Sequence, residues 1–257
     1  MNIRVYSPTE QASGSFDGGT ITEQKPIGFP GEGSAVTRIG PLFYWAWAQA
    51  PQEGYIGSHP HQAFEIMTYV IQGKAIHGDS LGSNSTVGPG GAQVIQAGSG
   101  VSHNERLVGP NAELFQIWLE PYIREALKRP PAYNQYDHEV FPTAEQDGVH
   151  VKTILGEGSP IQLVADAKMW DITIQSGSQY THTASAGRSL ALLAFRGDGS
   201  LHEQSTGITS FSHKDFVVVD VEQDEVLTIA PQAGDSVRIA LIEVPTAPDY
   251  PLYPKRR

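Results

Sequence analysis

Short runs rich in β-branched and aromatic residues recur along the chain, at 64–71, 92–96, 114–119, 168–175, 189–195, 216–221, 225–229 and 236–244. Between them stand clusters drawn from 27 glycines and 18 prolines, the residues that end strands and make tight turns. One stretch reads differently: in 121–129, Glu125, Ala126, Leu127 and Lys128 favour a helix, which Pro130 and Pro131 would stop. The pattern predicts an all-β protein of sandwich or barrel type with one helix near its middle.

That helix marks a candidate boundary, giving an N-terminal domain over 1–125 and a C-terminal domain over 126–257. The two parts echo one another. Gly54, His59 and Gly73 match Gly177, His182 and Gly197 at similar intervals, and 112–121 resembles 234–245 in its apolar pattern. The echo predicts a duplicated β-barrel.

Composition narrows the chemistry. With 17 Lys and Arg against 28 Asp and Glu, the chain carries a net charge of −11, and its one basic run is Lys255-Arg256-Arg257. Direct nucleic-acid binding is not expected, because phosphate backbones are met with clustered positive charge. The absence of cysteine removes disulfides, thiol catalysis and thiolate metal sites, so any metal must be held by nitrogen and oxygen. The first residues form no apolar leader, and the longest apolar run, 41–48, is too short to span a bilayer. A cytoplasmic location with no membrane partner is the expectation.

Two triplets carry the most chemistry: His59-Pro60-His61 and His103-Asn104-Glu105. On a strand, residues two apart share a face, so each triplet offers two metal-binding groups side by side. Laid next to each other, they would close a cage of His59, His61, His103 and Glu105. Three imidazoles and a carboxylate suit one divalent transition metal, with iron, nickel, copper, manganese and zinc all candidates, and leave positions open on a six-coordinate ion. The spacing equally suits an idle, solvated surface turn, since it does not by itself bring residue 61 to residue 103.

Gly78-Asp79-Ser80-Leu81-Gly82 matches the Gly-x-Ser-x-Gly nucleophile elbow, but 83–90 cannot start the helix that such an elbow requires. A hairpin turn explains the same residues. His77 is placed outside the site, at the far end of a strand. In the second half, His182, His202 and His213 are scattered, and the C-terminal domain is expected to lack a metal.

The segment 59–82, with its His-Pro-His-x-x-Phe-Glu strand and Asp-Ser-x-Gly hairpin, leads to Gly88-Pro89-Gly90 and the closing Ala97-Gly98-x-Gly100-x-x-His103-x-Glu105. Together these resemble the pirin family of bicupins, over roughly residues 40–136. The resemblance implies two tandem cupin barrels of jelly-roll type and places His59, His61, His103 and Glu105 on the family's iron ligands. Three departures stand out. Gln62-Ala63 replaces an Arg-Gly-like pair, Tyr44-Trp45-Ala46-Trp47-Ala48 lacks an acidic residue, and Asn104 replaces serine. Glu65, where many cupins place a ligand, is expected instead to orient a ligating imidazole.

Pirins with this cage include proteins assigned quercetin 2,3-dioxygenase activity, in which dioxygen opens the central ring of a flavonol with loss of carbon monoxide. The resemblance therefore implies an oxidoreductase acting on a flavonol-like aromatic and dioxygen, with Glu105 as both metal ligand and catalytic base. Other pirins are non-catalytic metal proteins whose redox state tunes binding to regulatory protein partners, which is the alternative the resemblance offers.

Overall fold

The computed structural model describes residues 1–203 and 207–253; the basic run 255–257 lies outside them. It is nearly all β, as the alternation predicts, and it forms two compact units. These are not the halves 1–125 and 126–257. One unit comprises Gln11–Val140, Ile161–Ala165 and the chain from Asp249 on, and the other comprises Met1–Glu10, Phe141–Pro160 and Asp166–Pro248. The reason is strand pairing: Asn2–Tyr6 runs antiparallel to Phe216–Val221, with Ile3 opposite Val219. The N-terminal strand therefore belongs to the unit built mainly from the second half of the chain.

In the first unit, nine strands share one antiparallel sheet. Its order is Ala132–Tyr136, Ala92–Gln96, Glu65–Asp79, Val101–Leu119, Leu42–Ala50, Ile21–Ile27 and Ala12–Phe16. Glu53–His61 also pairs with Val101–Leu119, and Asn84–Val87 with Glu65–Asp79. Two strands run well past the apolar runs that announced them. Glu65–Asp79 continues through Gly73, where φ is +72°, with register shifts between Val70 and Gln72 and between Gln72 and Lys74. A Cβ there would lie 2.6 Å from the Val108 carbonyl oxygen, so only glycine fits. Beyond the bulge the strand remains paired, with His77 opposite Glu105 and Asp79 opposite His103.

The second unit packs a seven-stranded antiparallel sheet against a four-stranded one. Ile172, Leu192, Val217 and Leu241 from the larger sheet share a core with Ala184, Leu201, Leu227 and Ile229 from the smaller. In both units the hydrogen-bonded strand orders have ends, so the tandem cupin fold is present as jelly-roll sheets rather than closed barrels. The predicted helix shrinks to Ile123–Ala126. Its favourable residues are too few to extend it before Pro130, and isolated short helices gain little on their own.

Candidate metal centre

Strand pairing settles what spacing left open. Glu53–His61 and Val101–Leu119 lie side by side with His59 opposite His103 and His61 opposite Val101. The side chains of His59, His61 and His103 converge, with ring centroids 4.5 to 4.9 Å apart, and one nitrogen from each lies within 4.8 Å of the others. The His59 Nδ1 atom sits 2.8 Å from the Gly57 carbonyl, an acceptor, so Nδ1 carries the proton and Nε2 keeps its lone pair. His61 Nε2 and both ring nitrogens of His103 are buried without a hydrogen-bond partner.

Burial, reinforced by the neighbouring imidazoles, pushes His61 and His103 down to about 3. They are therefore neutral at physiological pH, the form that binds a metal. Buried lone pairs without partners are costly and need a function or an ion. The donor set fits a divalent metal, which His59, His61 and His103 would hold.

Glu105 is buried two residues beyond His103, but its carboxylate falls outside the three-nitrogen cluster. Oε1 accepts hydrogen bonds from Thr68 Oγ1 at 3.1 Å and Gln93 Nε2 at 2.9 Å, and Oε2 accepts one from Gln116 Nε2 at 2.5 Å. Both amides are locked in orientation. Tyr133 Oη donates to Gln93 Oε1, and Trp118 Nε1 donates to Gln116 Oε1. A carboxylate has about four lone-pair sites. Three are used here, which leaves one on Oε2 for a metal or a proton.

Comparison with known proteins identifies the family. The Pirin family model matches residues 45–119. "Putative quercetin 2,3-dioxygenase PA1210" of Pseudomonas aeruginosa is 31% identical over 179 residues, spanning 66% of this chain and 75% of the relative. The chain belongs to the pirin family. Pirin-like protein 2 of Arabidopsis thaliana is 29% identical over 75% of this chain but only 61% of its own length, so the match leaves more than a third of that relative uncovered. Among solved structures, the nickel(II) complex of the bacterial pirin YhhW from Escherichia coli superposes with a TM-score of 0.76 at 22% identity, over 95% of this chain and 99% of that one. A quercetin 2,3-dioxygenase from Acinetobacter baumannii gives 0.78 at 21% identity, over 95% and 79%. At these identities the likeness is one of fold.

Two sequence expectations about this pirin need correction. His77 is not remote: the long strand carries it to the centre, where its ring lies 5.4 Å from that of His103 and stacks on Tyr133 at 4.0 Å. The bulge at Gly73 hid this, because counting along a regular strand misplaces every residue beyond a bulge. Glu65, in turn, orients no imidazole. Its carboxylate accepts the backbone N–H groups of Val164 and Ala165 at 2.7 and 2.8 Å, together with Gln96 Nε2, and so ties 161–165 to this unit.

The hairpin reading of 78–82 is correct. Asp79 Oδ1 accepts the N–H groups of Leu81 and Ser83, closing a turn and leaving no nucleophile elbow.

The departures from the pirin pattern fall around the centre. Gln62 lines, with His61, Ser80 and Ser102, a cleft of about 510 Å³. Asn104 donates to the Gly78 carbonyl on the neighbouring strand. Tyr44 packs with Phe29 and Trp118 at 5.0 and 4.8 Å, and Trp118 stands edge-on to His61 at 4.9 Å. Tyr44 of the aromatic strand therefore backs the Trp118 ring that stands next to a candidate ligand. Among the described residues no second cluster of metal-binding groups appears. No helix among them is long and apolar enough to cross a membrane.

Proposed function

We propose that this pirin is a metal-dependent dioxygenase acting on a flavonol-like aromatic, with iron held by His59, His61 and His103 and with Glu105 as fourth ligand and base. The observation that carries the reading is the convergence of three neutral imidazoles, with buried lone pairs, beside a cleft of about 510 Å³ that reaches His61. That volume is within the usual range for small-molecule sites. When bound, the metal would supply Lewis acidity and the electrons needed to bring dioxygen and substrate together.

The residues of the chain do the rest. Trp118, half-buried and edge-on to His61, offers an aromatic face against which a planar ring can pack. Gln62, Ser80 and Ser102 give the cleft polar groups that can orient substrate hydroxyls. The one lone pair left on Glu105 Oε2 would serve as ligand and, when not held by the metal, could take a hydroxyl proton, while Gln93 and Gln116 keep the carboxylate from turning away.

The test is quercetin turnover under oxygen, read by loss of the flavonol absorbance and by release of carbon monoxide. At equal metal content, Glu105→Gln should be slower by about 10²–10⁴, the usual worth of a general base. Equal rates would remove Glu105 as the base. No turnover of any flavonol by metal-loaded protein would overturn the activity.

A further inference from the structure

The His59 Nδ1–H group meets the Gly57 carbonyl. His59 accounts in this way for its second ring nitrogen and His61 has a single buried nitrogen without a partner, Nε2, but His103 has two. If one binds a metal, the other carries a proton and needs a buried acceptor; ligating imidazoles almost always have one, and it fixes their tautomer. One acceptor of this kind lies on the adjacent ring. His77 is 1% exposed, its Nε2 lies 2.8 Å from Asp79 Oδ2, and its Nδ1 is buried without a partner.

Asp79 can only accept, so Nε2 of His77 is the protonated nitrogen and Nδ1 presents a lone pair. The two rings have centroids 5.4 Å apart, and Tyr133, stacked on His77 at 9° to its plane, holds that ring in place. Asp79 is held in turn by the N–H groups of Leu81 and Ser83.

We propose that His77 is a positioning residue for the metal centre: its Nδ1 accepts the non-ligating ring N–H of His103, in a chain running Asp79, His77, His103, metal. The inference rests on the three-histidine metal site and adds two residues to it. The chain dictates direction. The Asp79 carboxylate polarises His77, His77 polarises His103, and His103 becomes a better-oriented and more basic ligand.

Two measurements test it on the whole protein. First, ¹⁵N NMR of the zinc-loaded protein should show one slowly exchanging ring N–H on His103 with a scalar coupling across a hydrogen bond to His77 Nδ1. A His103 ring N–H that exchanges freely, with no coupling, overturns the proposal. Second, zinc affinity is measured by competition with a chelator. Asp79→Asn can keep its turn through Oδ1 while its amide donates to His77 Nε2, which forces the proton onto Nδ1, so that His77 opposes His103 donor to donor. Affinity should fall about 10- to 100-fold, the usual effect of losing such a partner, and His77→Phe, which preserves stacking on Tyr133, should fall by a similar factor. Wild-type affinity in both variants, with the fold intact by circular dichroism, would also overturn the proposal. Failure of the wild-type protein to bind zinc at all would instead defeat the underlying metal-site reading, so the two failures are distinct.

Discussion

Ala63 holds φ at +71°, a conformation that costs an L-residue roughly 1–2 kcal/mol. It is buried, and its N–H donates to the Gly98 carbonyl, so the turn after His61 enforces this geometry. The pirin pattern favours a glycine here, and the structure supplies the reason. Ala63→Gly should therefore stabilise the protein by about 0.5–1 kcal/mol, against the usual loss on placing glycine in a strand, read as a rise in the urea midpoint.

Acid acts on a different pair of residues. His61 and His103 stay neutral in the folded chain down to about 3, whereas unfolded histidine takes up its proton near 6.5. Below about 6.5 the unfolded chain binds protons that the folded chain refuses. Stability of the metal-free protein is then fully present above about 6.5 and is lost as pH falls toward 3. Urea midpoints between pH 7 and 4 should trace this loss, and the slope should be shallower in His61→Gln. The three histidines were legible in the sequence because alternation along a strand is a local rule. The partnership of His77 and Asp79 with His103 was not, because it depends on which strand lies alongside.

Gly73 and Gly197 share a φ of +72°, and at both positions a Cβ would strike a backbone carbonyl oxygen, that of Val108 at 2.6 Å or Ser236 at 2.2 Å. The echo between the halves is thus physical at this point in backbone conformation and close approach, although Gly73 lies within Glu65–Asp79 and Gly197 lies in the connection between Arg188–Arg196 and Gly199–Glu203. Strand cores at 92–96 and 216–221 could be read to the residue, because their apolar runs end at turn residues. Val101–Leu119 could not, since Gly109 and Pro110 look like a stop yet the strand continues on both sides of them. Gly73→Ala meets a disfavoured φ and an immovable oxygen together, so it should cost about 1–3 kcal/mol by urea denaturation. Because the bulge sets His77 opposite Glu105, the same substitution should also weaken zinc binding, whereas a purely global loss of stability would leave the affinity of the folded fraction unchanged.

Across the whole molecule, the two units differ in what they do with a histidine at the echoed position. His59 leaves a nitrogen free, but His182 is engaged on both sides. Its Nε2 lies 3.1 Å from Glu243 Oε2, its Nδ1 is 3.3 Å from Tyr180 Oη, and Trp170 stands edge-on to the ring at 5.0 Å. Burial pulls the Glu243 carboxyl upward, but hydrogen bonds from His182 and Lys168 and the charges of Lys168 and Arg188 outweigh it and hold the group at about 2. With its Nε2–H given to Glu243, the remaining Nδ1 lone pair of His182 faces the Tyr180 hydroxyl, and among the described residues no second cluster of metal-binding groups includes it. One metal per chain should therefore bind, counted by elemental analysis. His103→Ala should abolish it, while His182→Ala should leave the count at one and lower stability by about 1–3 kcal/mol, because a buried carboxylate loses a donor. The sign with pH is the same as at the metal centre, but the window lies lower. An acid depressed in the folded state stabilises above its unfolded pKa, near 4.3, and that contribution fades as pH falls toward 2. The stability deficit of His182→Ala should accordingly be full at pH 7 and narrow only below about pH 4. A second metal that disappears in His182→Ala would show that this unit had kept a site of its own.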